Sequence, residues 1–485
     1  MPDTNGLRRL RTGKLRTGAL RLEAWGRKAL RARPSGEALR TLGSRNFRRY
    51  LVGQLVSNVG TWMQRAAQDL LVLQLTGSGS AVGIVTALQF LPQTLFGLFG
   101  GVIADRFPRR RLLLVTQTSM GLQSLLLGVA TVTGAVNLWC VYALAFVLGA
   151  ATALDGPARN AFICELVTRD HLPSAVGLNS AQFNLARILG PALAGLGVAV
   201  AGTGPVFLLN AASYLAVLYG LFAIRTGELI PACRPERSPT RVSEAFRHVR
   251  SNPDLLLPIA LIGCVGTFGL NFQVTISLVA ITEFHSGAAA FGYLSAAYAV
   301  GSLIGAVRGA GCRTPPTTRR LVTAAVVFGA LEATAGLMPD YATFMALLIP
   351  TGLASVTVTI TANALTQLHA EPRMRGRVLS IYFLVLLGGT PLGAPLVGLA
   401  SDALGARFSL VLAGLICALS AVFLAAGITA HAHRPMRRRR SRSRTAFPPP
   451  ERDDAPWPTN PTVADAGGST TASGRSPDTA TSRSP

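Results

Sequence analysis

Long apolar runs, each interrupted by a few polar or charged residues, fill the sequence from about residue 51 to residue 430. A helix of about 20 residues crosses the hydrocarbon core of a bilayer. Twelve such spans can be placed, at 51–74, 81–104, 112–133, 138–155, 175–200, 205–224, 255–282, 288–308, 320–338, 341–364, 377–401 and 408–430. The pattern predicts an all-α membrane protein of twelve transmembrane helices, and the even number puts both termini on one side.

The connections divide the chain. One long segment, 225–254, is rich in Pro and charge, has a short helical pattern over 242–250, and separates six spans from six. The expected plan is a basic arm (1–44), a first six-helix bundle (45–224), a central loop (225–254), a second bundle (255–432) and a basic, then Pro/Ser/Thr-rich tail (433–485) whose composition cannot build a core. An internal repeat supports two pseudo-symmetric halves: Asn160, Gly190 and Gly195 recur as Asn363, Gly393 and Gly398, each 203 residues on.

Arginines follow spans two, four, six, eight and ten, the intervening loops carry no Lys or Arg, and Arg407 after span eleven is the one exception. The positive-inside rule then makes this a multi-pass plasma-membrane protein with cytoplasmic termini and a cytoplasmic central loop. The chain is 49% hydrophobic and 14% charged, more apolar than one soluble core requires. Its net charge of +24 sits in the tails and alternate loops, so it reads as topology rather than as nucleic-acid binding.

The six cysteines form no C-x-x-C pair and the histidines no metal-binding spacing, so neither a disulfide framework nor a metal site is expected. With no Walker A motif and no nucleophile elbow there is no catalytic residue or cofactor to assign, and transport would draw on a gradient.

Between spans two and three the sequence runs G-x-x-x-D-R-x-x-R-R, as Gly101, Asp105, Arg106, Arg109 and Arg110. A glycine permits close helix approach, the acid can pair with an arginine or a helix N-terminus, and the arginines suit acidic groups. The hairpin is a candidate cytoplasmic gate.

Span one carries Gln54, Asn58, Thr61, Arg65 and Asp69 at intervals that place them on one helix face, the expected lining of a cavity. A charge deep in hydrocarbon costs roughly 2.5–3.5 kcal/mol, so Arg65 and Asp69 should face that cavity or pair with each other across one turn. Asp69 is open to two readings, a structural ion pair or a proton-exchanging site. Span five repeats the spacing at Ser180, Asn184, Arg187, Pro191 and Gly195. Arg187 is expected to pair with Asp155 or Glu165, with substrate contact as the alternative. Glu332, inside span nine, is the second candidate proton carrier. Gln93 adds an amide to the candidate cavity, whereas Asn271 and Gln273 can share a face only if their helix is broken between them.

The hairpin, twelve spans, central loop and six-plus-six repeat together resemble the major facilitator superfamily, with Pro108 where that family usually has Gly. The loop 4–5 motif of Asp155, Pro157, Arg159 and Glu165, followed by residues 184–191, is similar to the branch that contains enterobactin exporters. Gly190-Pro191-x-x-x-Gly195 resembles the span-five motif of antiporters. The resemblance implies export of a small amphipathic or partly apolar molecule, drug or siderophore-like, by alternating access and proton antiport in a monomer. Uptake or uniport by the same fold is an alternative. A non-transporting scaffold or sensor is another, and buried Arg65, Asp69 and Glu332 argue against it.

Overall fold

The computed structural model describes residues 40–230, 242–311, 315–371 and 374–432, with side chains throughout except at 98–102, 104–105, 242–243, 310–311 and 428–432. The predicted basic arm up to residue 39 and the tail from 433 lie outside these residues.

Among the described residues the chain is helical, without a strand. The first half comprises α1 (Arg45–Thr76), α2 (Gly79–Arg106), α3 (Arg109–Val132), α4 (Leu138–Leu166), α5 (Leu172–Ala201) and α6 (Thr203–Phe222). A short amphipathic helix, α7 (Val242–Ser251), follows in the central loop, with Ala245 and Val249 buried. The seventh span is composite: α8 (Pro253–Cys264), a π turn (Val265–Gly269), α9 (Phe272–Leu278) and a second π turn (Val279–Glu283). Then come α10 (Ala288–Gly311), α11 (Thr318–Gly336), α12 (Tyr341–His369), the paired α13 (Arg375–Gly388) and α14 (Thr390–Leu404) of span eleven, and α15 (Ala406–Ala432).

The halves are built alike. In the first, α1 packs on α5 and α6, α2 on α4, and α3 on α4 and α6. In the second, α8 packs on α15, α10 on α12, and α11 on α12 and α15. The halves meet along two seams, α2 with α14 and α5 with α10. The repeat extends to the turns: Gly202 between α5 and α6 and Gly405 between α14 and α15, again 203 apart, adopt φ of 82° and 91°, a conformation that only glycine takes at little cost.

Ten of the spans among the described residues are long and apolar enough to cross a membrane by composition alone. The other two have physical reasons to fall short. Helix α1 carries the buried polar residues Gln54, Asn58, Gln64, Arg65, Gln68 and Asp69, and α11 is short, opens on Arg319 and Arg320 and contains Glu332. The polar residues of α1 and Glu332 of α11 are buried inside the protein rather than presented to lipid, whereas Arg319 and Arg320 are exposed at the helix start. Large apolar side chains such as Leu122, Leu126, Val200 and Phe423 point outward, as a lipid-facing surface requires.

Helix α4 runs eleven residues past the predicted end of span four, to Leu166. The loop 4–5 motif is therefore helical, because Asp155 and Arg159 pair across one turn and extend the helix beyond its apolar run.

Candidate transport site

A cavity of about 180 Å³ lies between the halves, with Trp62, Thr86, Phe90 and Arg187 on one side and Asn271, Gln273 and Tyr298 on the other. Its second wall depends on the break in span seven. The Leu270 N–H reaches back to Val265 O (2.9 Å), and Asn271 Nδ2 donates to Thr267 O (2.6 Å), covering backbone that the interrupted helix leaves free. The break lets Asn271 and Gln273 both face the cavity, which an unbroken helix forbids.

Asp69 is fully buried immediately behind this wall. Gln273 Nε2 donates to one carboxylate oxygen at 2.6 Å and Thr86 Oγ1 to the other at 3.4 Å. A carboxylate of the first half is thus held by an amide of the second. The ion pair with Arg65 that the spacing allows is not made. The Arg65 guanidinium lies over the rings of Phe90 (4.4 Å to the centroid) and Trp62 (5.0 Å), and its buried Nε has no hydrogen-bond partner. These cation–π contacts place a second cation directly behind the aromatic wall.

The rest of the span-one seam turns away from the cavity into the first bundle. Asn58 donates to Gln182 (3.0 Å) and accepts from Arg159 (3.2 Å), and Thr61 bonds Tyr214 (2.8 Å). The intervals fixed a common face; the polar groups on α3, α4, α5 and α6 decided which way it points. Asp155, wholly buried, accepts from Thr116 (3.0 Å) and Gln117 (2.7 Å) and pairs with Arg159, so its lone pairs are satisfied inside the bundle. Pro157 lies within α4 between the two ionic partners.

The expected pairing of Arg187 is overturned. Asp155 belongs to Arg159, and Glu165 is bound by Arg109 at 2.9 Å. Arg187 instead lines the cavity, with no hydrogen bond or ion pair among the described residues. Of the other candidates, Asn184 donates to Ser180 O on its own helix (2.8 Å) and Gln93 is half-buried. Glu332 is buried inside the second bundle, near Gly269, with Oε2 unpartnered.

In the hairpin, Arg110 caps α6 by donating to Leu221 O (2.9 Å) and Phe222 O (3.3 Å), joining the α2–α3 turn to the C-terminal end of α6, while Arg106 is exposed. The backbone of Gly101 and Asp105 lies in α2, but the Asp105 side chain is outside the described residues.

The repeated glycines have matching roles. Gly190 abuts Trp62 of α1, and Gly393 abuts Thr267 of span seven. Gly195 meets Gly292 of α10, and Gly398 meets Gly79 of α2. A Cβ at any of the four would collide with neighbouring backbone or with the root of a side chain. Both seams therefore close by direct backbone approach at the end bearing the α1–α2 turn. Pro191, next to the first of these contacts, lines the cavity.

Sequence reasoning missed Asp402, the outermost polar group of one seam. Its carboxylate accepts from Gly79 N (2.6 Å), Ser80 N (2.9 Å) and Ser78 Oγ (2.8 Å), capping α2 from the other half. A signal was present: an acid in the last turn of a helix opposes that helix's own dipole, and is better placed at another helix's N-terminus. Arg407 is neutralised by Glu283 (3.1 Å) and lies over Phe284, which accounts for a lone arginine in a set of loops otherwise without Lys or Arg.

With the helical scheme and cavity established, residues 37–455 match the family model described as transmembrane secretion effector. The chain belongs to this family of major facilitator superfamily transporters. Among similar proteins, an uncharacterised major-facilitator-type transporter of Bacillus subtilis, YfiS, is 29% identical over 243 residues, 49% of this chain and 57% of that protein. The enterobactin exporter of Citrobacter koseri is 26% identical over 383 residues, 77% of this chain and 91% of the exporter. The fold is shared with a bacterial homologue of the human lysosomal transporter Spinster, solved in an inward-facing, unoccupied conformation (TM-score 0.65, 14% identity, 78% of this chain and 96% of that one).

Proposed function

We propose that this transporter exports a small amphipathic or partly apolar molecule by alternating access, as a monomer, in exchange for protons entering the cell. The observation that carries the reading is Asp69, a buried carboxylate whose partners Thr86 and Gln273 are themselves cavity wall and come from opposite halves. Protonation removes acceptor capacity from a bond that ties the halves together, so proton binding and the relative position of the halves are linked. Glu332 has no such bridge, which makes Asp69 the preferred carrier.

In the orientation given by the arginine distribution, the α1–α2 turn is outside and the hairpin, termini and central loop are cytoplasmic. The glycine seams and the Asp402 cap then form the outer closure, and Gly101, Asp105, Arg106, Arg109 and Arg110 the inner gate. The test is the purified full chain in proteoliposomes with an imposed pH gradient and a trapped pH dye. Substrate-dependent proton movement across a compound panel is expected; its absence would overturn antiport. Reporter fusions after Ser251 should read cytoplasmic and after Ser286 external, and the reverse would overturn the orientation.

A further inference from the structure

We infer that the cargo is an anion, a carboxylate-type group attached to a flat apolar or aromatic body, and that Arg187 binds its charge. The inference rests on the reading of the central cavity as the transport site. Arg187 projects from α5 into the cavity wall, accessible to water there although it belongs to a membrane span. A guanidinium in that position needs a counter-charge or a strong acceptor, and no acid among the described residues pairs with it. Asp155 is committed to Arg159, Glu165 to Arg109, and Asp69 to Gln273 and Thr86.

Tyr298, which lines the same cavity, donates its hydroxyl proton to Ser355 Oγ at 2.8 Å. Arg65 adds a second positive charge buried behind the Trp62 and Phe90 rings of the wall. Arg187 is thus the one charged side chain among the described residues lining this cavity, with Arg65 and Asp69 behind its wall and Glu332 buried within the second bundle.

The remaining wall selects shape. Trp62 and Phe90 offer ring surface from the first half; Phe272, stacked on Tyr298 with centroids 4.6 Å apart, offers it from the second. A planar body fits between such faces, and the guanidinium fork suits a two-oxygen anion. At about 180 Å³ the space is smaller than the roughly 300–1,000 Å³ of drug-sized sites, and takes an anionic head with one or two rings.

The test uses three probes of one shape: 2-naphthoate, its methyl ester and 2-naphthylmethylammonium. Each is titrated by tryptophan quenching into the full-length protein in lipid nanodiscs, with no pH gradient. The naphthoate should bind about 10- to 100-fold more tightly than the ester, the value of one charge-assisted contact, and the ammonium weakest. Arg187→Gln should abolish that preference, Arg187→Lys should keep part of it, and Arg187→Glu should reverse it towards the ammonium. Because Arg187 has no protein partner, these variants should elute and melt like the parent. Equal binding of the three probes, preference for the ammonium, no saturable naphthoate binding, or a preference unchanged in Arg187→Gln would each overturn the inference.

Failure of proton antiport would leave the binding result intact. Gradient-driven transport of neutral or cationic compounds, with 2-naphthoate excluded, would overturn the anion while leaving the export reading standing.

Discussion

Asp402, at the last turn of α14, accepts the Gly79 N–H at 2.6 Å across the seam between the halves. The bond joins an acid at the end of one span to the exposed donors at the start of another, so it lasts only while that seam is closed. Asp402→Ala leaves the α2 donors to water at a cost of about 0.5–2 kcal/mol, the usual value of an N-cap. That is roughly a 2- to 30-fold shift towards the state open at this end. Maleimide labelling of a cysteine placed at Ser80 should speed up accordingly; an unchanged labelling rate would show that the cap does not control closure.

Gly195 and Gly398 are the second control on the same event. Gly195→Val or Gly398→Val should abolish transport at normal membrane abundance, because the added carbons wedge the seam against Gly292 or Gly79. Gly97→Ala, with nothing within 4 Å of its Cβ position, is the matched control and should transport normally. Substrate flux and immunoblot on the same cells measure both.

Asp69→Asn retains an acceptor for Gln273 but cannot exchange a proton. Proton movement driven by substrate should disappear while the melting temperature holds. Glu332→Gln should leave the coupling intact and, by removing a buried unpartnered carboxyl, hold or raise thermal stability. The opposite pattern in the dye assay would transfer the carrier role to Glu332.

The two ion pairs of the α4 region should differ in cost. Asp155→Ala strands buried Arg159 and should destabilise the protein by about 3–5 kcal/mol, seen as aggregation or a large fall in Tm in detergent. Glu165→Ala removes a part-buried partner and leaves Arg109 its longer bond to Ala161 O (3.5 Å), so it should cost less, about 1.5–3 kcal/mol.

Much of the helical plan was legible in hydropathy because a bilayer demands long apolar runs. It was weakest at α1 and α11, where polar residues are buried by neighbours rather than by lipid. Within the site, the spacing of Asn58, Arg65 and Asp69 revealed a shared face, whereas their partners are set by residues up to 204 positions away, as with Gln273. Arg187 was misread for the same reason: a common cytoplasmic-side position suggested Asp155 and Glu165, but Asp155 is taken by Arg159 one helix turn on and Glu165 by Arg109 of α3. Asn271 and Gln273 were legible conditionally, since a two-residue interval on one wall required a broken helix.

The seal at the α1–α2 end is made of absent side chains. No amino acid is smaller than glycine, so mutation at Gly79, Gly195, Gly292 or Gly398 can only add atoms. Change at these sites runs in one direction, towards a molecule that cannot shut. No charge on them can be gained or lost with the acidity of the medium, leaving acid sensitivity of closure to the neighbouring carboxylates.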